Sequence, residues 1–243
     1  MSKDEIYASD SADSSPFEFN EAVARVFPDM LQRSIPGYAA TIEAIGALAA
    51  KCVPAGTRCY DLGCSLGAAA LAMQRNISDP GCRIVAVDSA PAMVKRCRVA
   101  IAERSGAGGP EISVIEGDIR DVAIGEASMV VMNYTLQFLP LAERVGMLRK
   151  VGDGMIDGGL LVLSEKVVDA DASVEALLAD LQHDFKRRNA YSELEISRKR
   201  AALEDVLIPE TADAHLARLA DAGFRHAGVW LKYFNFVSFM AIK

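Results

Sequence analysis

The sequence predicts an α/β fold, a mostly parallel, seven-stranded sheet with helices on both faces and a C-terminal antiparallel hairpin. Three observations predict it. Short β-branched runs alternate with segments of helical period from residue 58 to 163. The first of these strands breaks into a turn carrying Gly63 and Gly67 and then enters a helix. The final stretch, 224–242, reads as two strands around residues 232–235. Strands that alternate with helices pair in parallel, because each crossover helix returns the chain to the same edge of the sheet.

Residues 1–16 are rich in Ser and Asp and are expected to form a flexible tail, with a single domain over 17–243. Between 19 and 50, Val23, Val26, Phe27, Met30 and Leu31, then Ile42, Ile45 and Leu48, recur at helical spacing, broken at Ser34-Ile35-Pro36-Gly37. Two helices are therefore expected ahead of the first strand. Strands follow at 58–62, 83–87, 111–115, 128–134 and 159–163, with helices at 66–74, 90–103 and 141–151. Two further helices are predicted at 171–188 and 192–207, the second opening on Ser192-Glu193-Leu194-Glu195 with the spacing of a capping box. Met30, Met73, Met93 and Met147 lie on apolar helix faces and are expected in the core. Strand alternation assigns Trp230, Tyr233 and Phe234 to core packing. His183, His215 and His226 fall in late helices and strands, and read as surface or packing residues.

Composition narrows the function. A chain of 243 residues with 51% apolar content buries a large core without staples. A net charge of -7 argues against a broad phosphate-binding surface, so a small-molecule substrate is expected and direct nucleic-acid binding is not. Five cysteines with no Cys-x-x-Cys pair indicate neither zinc nor a disulfide framework. No apolar run is long enough to span a bilayer, and the polar start is unlike a signal peptide, so a cytoplasmic protein is expected.

The most informative segment is Tyr60-Asp61-Leu62-Gly63-Cys64-Ser65-Leu66-Gly67. A dinucleotide site needs G-x-G-x-x-G, and the spacing here is different. The segment instead resembles the D-x-G-x-G-x-G motif of the Rossmann-like S-adenosylmethionine (SAM) methyltransferase fold, with Ser65 at the middle glycine. There the strand-end acid orients the amino-acid end of the cofactor. Asp88 closes the second strand 21 residues after Gly67, where a carboxylate accepts both ribose hydroxyls. Asp118 follows the third strand, beside the expected adenine position, and Asn133 closes the fourth, beside the sulfonium. Four polar residues at four successive strand ends converge on one crevice.

A narrower resemblance rests on strings that the generic fold does not demand. They are Val26-Phe27-Pro28-Asp29-Met30, Arg33-Ser34-Ile35-Pro36-Gly37-Tyr38, Ile115-Glu116-Gly117-Asp118-Ile119-Arg120-Asp121, Leu163-Ser164-Glu165-Lys166 and His183-Asp184-Phe185-Lys186-Arg187, with Tyr191 through Ser197. From Phe17 onward the chain resembles the carboxy-S-adenosyl-L-methionine synthases, bacterial enzymes that prepare the carboxymethyl donor for wobble-uridine modification in tRNA. The resemblance implies a homodimer that converts SAM and prephenate into carboxy-SAM and phenylpyruvate. It also implies binding positions at Tyr38, Gly63, Cys64, Ser65, Asp88, Ser89, Asp118, Ile119, Asn133 and Arg200. Ser89 departs from the family's usual Asn but keeps a hydrogen-bond donor.

Lys186, Arg187, Arg188, Arg198, Lys199 and Arg200 collect within 15 residues of an acidic chain. By the resemblance, Arg200 grips the extra carboxylate of carboxy-SAM, a task suited to the two-pronged guanidinium. The reaction makes the sulfonium methyl carbon a nucleophile, which calls for a base. No histidine lies at a strand end, so the substrate is expected to supply much of the acid-base chemistry when decarboxylation releases basic oxygen. Other readings with the same cofactor site are an ordinary SAM-dependent methyltransferase acting on a small acid or tRNA, and a non-catalytic SAM-binding regulator.

Overall fold

The structure is a computed structural model that describes residues 3–8, 17–104, 108–203 and 206–243. Two helices, α1 (Glu21–Ser34) and α2 (Tyr38–Cys52), precede the first strand. Asn20 caps α1 by accepting the Val23 N–H at 3.1 Å. Gly37, at φ +75°, makes the break between the helices, and a Cβ there would sit 3.1 Å from the ring of Tyr233.

Alternation then begins: β1 (Arg58–Leu62), α3 (Ala68–Asn76), β2 (Arg83–Asp88), α4 (Pro91–Ala102), β3 (Glu111–Glu116), β4 (Ala127–Asn133), α5 (Leu141–Gly154) and β5 (Met155–Val168). The chain continues through α6 (Ala172–Arg188), α7 (Glu193–Leu203), β6 (Glu210–Thr211), α8 (Ala212–Asp221), β7 (His226–Tyr233) and β8 (Phe236–Ile242). The sheet order is β3-β2-β1-β4-β5-β8-β7, with β6 paired to the end of β5. The first five strands are parallel, while β8 and β7 run antiparallel.

Both faces of the central strands are buried, and side-chain alternation splits them into two cores. Tyr60, Leu62, Val130, Met132, Leu161 and Leu163 face one core, where α5 supplies Met147 and Leu148 and α8 supplies Leu219. Cys59, Met129, Val131, Leu160 and Val162 face the other, against Ile45 of α2 and Met73 of α3. A third cluster joins α1 to Met93 through Val23, Val26, Phe27 and Met30. The four methionines expected in the core are buried there.

Several sequence expectations need correction. Of the segment expected as a flexible tail, residues 3–8 are described and packed. Asp4 and Tyr7 are buried, and Tyr7 joins the α1 cluster. The reason is a polar anchor. The Asp4 N–H donates to Asp29 at 2.7 Å, its carbonyl accepts from Arg33 at 3.0 Å, and its carboxylate accepts from the Tyr191 hydroxyl. The rest of 1–16 lies outside the described residues.

The sheet also gains the two-residue β6. Helix α8 was not anticipated, because its ten residues carry only two large apolar side chains, Leu216 and Leu219, to mark a helical period. Strand β5 runs beyond the expected 159–163 at both ends. Tyr233 is 48% exposed, contrary to the packing expectation, whereas Trp230 packs against the second core.

Candidate active site

The site is assembled at the carboxyl ends of the parallel strands. Register places Leu62 beside Val87, Asp61 beside Val131, and Asn133 beside Ser164. The chain leaves β1 through Gly63 (φ +80°), Ser65 (φ +48°) and Gly67 (φ +80°) before entering α3. Glycine is required at 63 for two reasons, its left-handed backbone and its neighbour. A Cβ there would lie 2.2 Å from Thr135 Oγ1. The Gly63 and Cys64 N–H groups both donate to the Val87 carbonyl, at 2.8 and 2.9 Å, which locks the turn against β2.

Asp61 is almost fully buried, and its Oδ2 accepts the Ala70 N–H at 2.9 Å in the first turn of α3. Burial pushes its carboxyl up to about 7, the Ala70 bond opposes this, and nearby Asp88 adds to it. Asp88 holds the turn with both oxygens: Oδ2 accepts from Ser65 N at 2.8 Å and Oδ1 from Ala90 N at 2.9 Å. Burial again raises its carboxyl, partly offset by those two bonds.

Asp118 pairs with Arg120, Oδ1 to Nε at 2.9 Å and Oδ2 to Nη2 at 2.6 Å, and Arg120 reaches on to Glu143 at 2.6 Å. That guanidinium holds the Asp118 carboxyl below the usual carboxylate range. Tyr38, at the start of α2, lies close enough to Asp61 that burial and the carboxylate together raise its phenol. Ser89 is exposed at the end of β2. Cys64 turns its thiol inward toward Cys97, and Ile119 is a core side chain, so both have backbone rather than side chain to offer a ligand.

An adenosyl-sulfonium cofactor fits this cradle. Asn133 Oδ1 is buried with no hydrogen-bond partner, an acceptor left open at the crevice among the described residues. Each oxygen of Asp88 has a lone pair beyond the one it gives the turn, enough for two hydroxyls. A buried Asp61 whose carboxyl titrates near neutrality is stabilised as carboxylate by an adjacent ammonium. Two surface hollows, one lined by Gln74, Ser78 and Glu103 and the other by Ala123, Gly146 and Asp153, contain none of these residues.

Arg200 stands apart, exposed on α7. It is within electrostatic reach of Lys166 at the end of β5 and of His183 and Lys186 on α6. Helix α7 is fixed by its cap, Glu195 N donating to Ser192 Oγ at 3.3 Å and Ser192 N to Glu195 Oε2 at 2.8 Å. His215 is a packing residue, buried and tilted over Phe239 at 5.4 Å.

Sequence reading missed the residues that support the crevice from behind. Tyr134 continues β4 at φ +63° and donates its N–H to Ser164 at 2.8 Å. Fully buried Glu165 accepts the Leu136 and Gln137 N–H groups at 3.1 and 3.0 Å. Burial pushes the Glu165 carboxyl up to about 8. The available signal was a carboxylate directly after the apolar run 160–163 and Ser164.

Fold and cradle together define a SAM-dependent methyltransferase-type domain, and a family model described as "Methyltransferase domain" matches residues 60–159. An O-methyltransferase family protein from Burkholderia thailandensis has the same fold, with a TM-score of 0.66 at 15% identity over 98% of this chain and 61% of that one. Full-length relatives are more specific. The carboxy-S-adenosyl-L-methionine synthase of Klebsiella pneumoniae (strain 342) is 53% identical over 99% of this chain and 97% of its own length. That of Escherichia coli (strain K12) is 52% identical over the same shares. The chain belongs to the carboxy-S-adenosyl-L-methionine synthase family. The similarity spans 241 residues and therefore continues into 1–16, which the sequence reading had left outside it.

Proposed function

We propose that this enzyme converts SAM and prephenate into carboxy-SAM, phenylpyruvate and water, supplying the carboxymethyl donor for wobble-uridine modification of tRNA. The observation that carries the reading is a set of cations, Lys166, Lys186 and Arg200, within electrostatic reach of one another, with Lys166 on β5 two residues past Ser164, the register partner of Asn133. A methyl transfer leaves no carboxylate on the cofactor; this reaction does, and its substrate is a dianion.

Asp61 takes the cofactor's ammonium, Asp88 its ribose hydroxyls, Asp118 the adenine edge, and Asn133 Oδ1 lines the sulfonium end. Tyr38, Ser65, Ser89 and the backbone at Gly63, Cys64 and Ile119 complete the cradle. When bound, SAM supplies a methyl carbon whose protons are made acidic by the adjacent positive sulfur. Prephenate loses its ring carboxyl as carbon dioxide and its ring hydroxyl as hydroxide. The hydroxide takes one methyl proton and leaves as water, and the carbon dioxide ends bonded to the methyl carbon. No protein base is needed, in keeping with histidines that lie outside the strand-end crevice. Arg200 then holds the new carboxylate.

A homodimer in the cytoplasm is part of the same reading. Val174 and Leu177 of α6 and Leu194 of α7 are exposed, an apolar face suited to a second copy. No helix among the described residues is long and apolar enough to cross a membrane. Native mass spectrometry of the purified protein tests the function. A co-purified ligand one carboxyl group heavier than SAM supports it; SAM alone after incubation with prephenate contradicts it.

A further inference from the structure

We infer that Lys166 and Lys186 form a second anion site beside Arg200, which binds the carboxylate that a dicarboxylic acid substrate keeps through the reaction. The inference rests on the function proposed above and adds the substrate's own anchor.

Placement comes first. Lys166 lies two positions beyond Ser164, the register partner of Asn133, and so projects from the same face of β5 at the carboxyl edge. Lys186 is in the last turn of α6, and Arg200 is on α7. Asn235 Nδ2 donates to Gln182 at 3.2 Å and the Asn235 carbonyl accepts the Val167 N–H at 2.8 Å, so the face of α6 that carries Gln182 and, one turn on, Lys186 lies against the end of β5 that carries Lys166. Arg200 is within electrostatic reach of both lysines.

Their partners are missing, in contrast to the surrounding cations. Arg187, next to Lys186, has Asp184 and, at 2.8 Å, Glu193. Lys199, next to Arg200, has Ser34 at 2.9 Å and Asp4 at 3.6 Å. Among the described residues, neither the Lys166 nor the Lys186 ammonium has a hydrogen-bond acceptor. Glu175 is near enough to be felt by Lys166, but it also binds the Asp169 N–H at 2.8 Å. The ammonium groups are poorly hydrated as well as crowded. Burial, then the positive charges of Lys199, Lys166 and Arg200, lowers Lys186 to about 7, and burial also lowers Lys166. Half-buried like charges with no hydrogen-bonded acceptor destabilise a fold, and a bound anion relieves that cost.

The chemistry decides which anion. A carboxylate about to leave as carbon dioxide loses its charge in the transition state, so cations gripping it would stabilise the ground state and slow the step. Cations are useful on the carboxylate that stays. Arg200 serves the carboxylate that appears on the cofactor, which leaves Lys166 and Lys186 for the retained carboxylate of the substrate acid.

The test uses the full chain with Lys166→Met, Lys186→Met and Lys186→Arg. With prephenate as the varied substrate, both Met variants should raise KM about 10-fold to 100-fold, the loss of a charge-assisted hydrogen bond. SAM dissociation constants should stay within about twofold of wild type, and Lys186→Arg should recover most of the Lys186→Met loss, since charge rather than shape is at issue. Unchanged prephenate KM in folded Met variants overturns the site, as does an equal loss of SAM affinity. If wild type makes no carboxy-SAM, the proposed reaction falls, and the site is then read by calorimetric titration of malonate into SAM-loaded protein. Malonate binding lost in the Met variants sustains the site; equal binding in wild type and variants overturns it.

Discussion

Lys199 Nζ lies 3.6 Å from Oδ2 of Asp4, joining two buried side chains from opposite ends of the chain. Tyr191 donates its hydroxyl to the same carboxylate, and Arg33 stacks over the Tyr191 ring with 3.9 Å from guanidinium carbon to centroid. The first residues of the chain thereby fix α7, the helix that carries Arg200. Asp4→Ala should cost about 3 kcal/mol, the lower end for breaking a buried pair, because Lys199 keeps Ser34. Urea melts read the loss. In a double-mutant cycle with Lys199→Met, the second substitution should cost less in the Asp4→Ala background than in wild type, and strictly additive losses would mean the two are uncoupled.

At Gly63 the expectation is steric. Gly63→Ala meets Thr135 Oγ1 at 2.2 Å and Cγ2 at 2.4 Å on a backbone already at φ +80°. Overpacking and left-handed strain together should destabilise the protein by about 2–4 kcal/mol. Adding Thr135→Ala removes those two atoms and leaves Cβ at 2.9 Å, so it should restore part of the loss, measured by thermal or urea unfolding.

Asp61, proposed to take the cofactor's ammonium, predicts a pH dependence of binding. Because burial raises Asp61 to about 7, the free protein carries this carboxyl largely protonated below that pH. An incoming ammonium favours the carboxylate, so SAM binding should release up to about one proton near pH 6. Affinity should climb as pH rises toward 7 and level off above it. Calorimetry in buffers of different ionisation enthalpy counts the protons. Asp61→Asn should abolish the release and weaken SAM at pH 8 by about 1–3 kcal/mol.

If Arg200 grips the added carboxylate, as proposed, it separates a carboxyl-handling enzyme from a methyltransferase. SAM lacks the added carboxylate, so Arg200→Ala and Arg200→Lys should leave its affinity nearly unchanged. Affinity for carboxy-SAM should fall by about 1.5–3 kcal/mol in the Ala variant, the range for a hydrogen bond to a charged group. A larger loss would suit a buried pair, but Arg200 is exposed. Lys keeps the charge without the fork and should fall between. Equal losses for SAM and carboxy-SAM would make Arg200 structural.

Much of this was legible in the sequence. The period-two and period-3.6 runs located β1 to the residue, Asp61, Asp88 and Asn133 lie at the carboxyl ends of β1, β2 and β4, and Asp118 follows β3, because local pattern and burial agree there. Less legible was whatever depends on distant partners. Asp4 looks like one more polar residue of a tail until Tyr191 and Lys199 are beside it. Likewise α8 has only Leu216 and Leu219 as large apolar markers of its period, and nothing near Gly63 in the chain reveals Thr135 above it. Arg200 was singled out by resemblance, whereas its company with Lys166 and Lys186 required the three elements to be brought together in space.

The most direct measurement is the product of a single incubation: purified enzyme with SAM carrying a 13C-labelled methyl group and unlabelled prephenate, analysed by mass spectrometry. Carboxy-SAM that retains the labelled carbon, formed in step with an equal amount of phenylpyruvate, is the expected result. S-adenosylhomocysteine as the main product, or labelled SAM returned unchanged while wild type is folded and binds it, would contradict the proposed reaction.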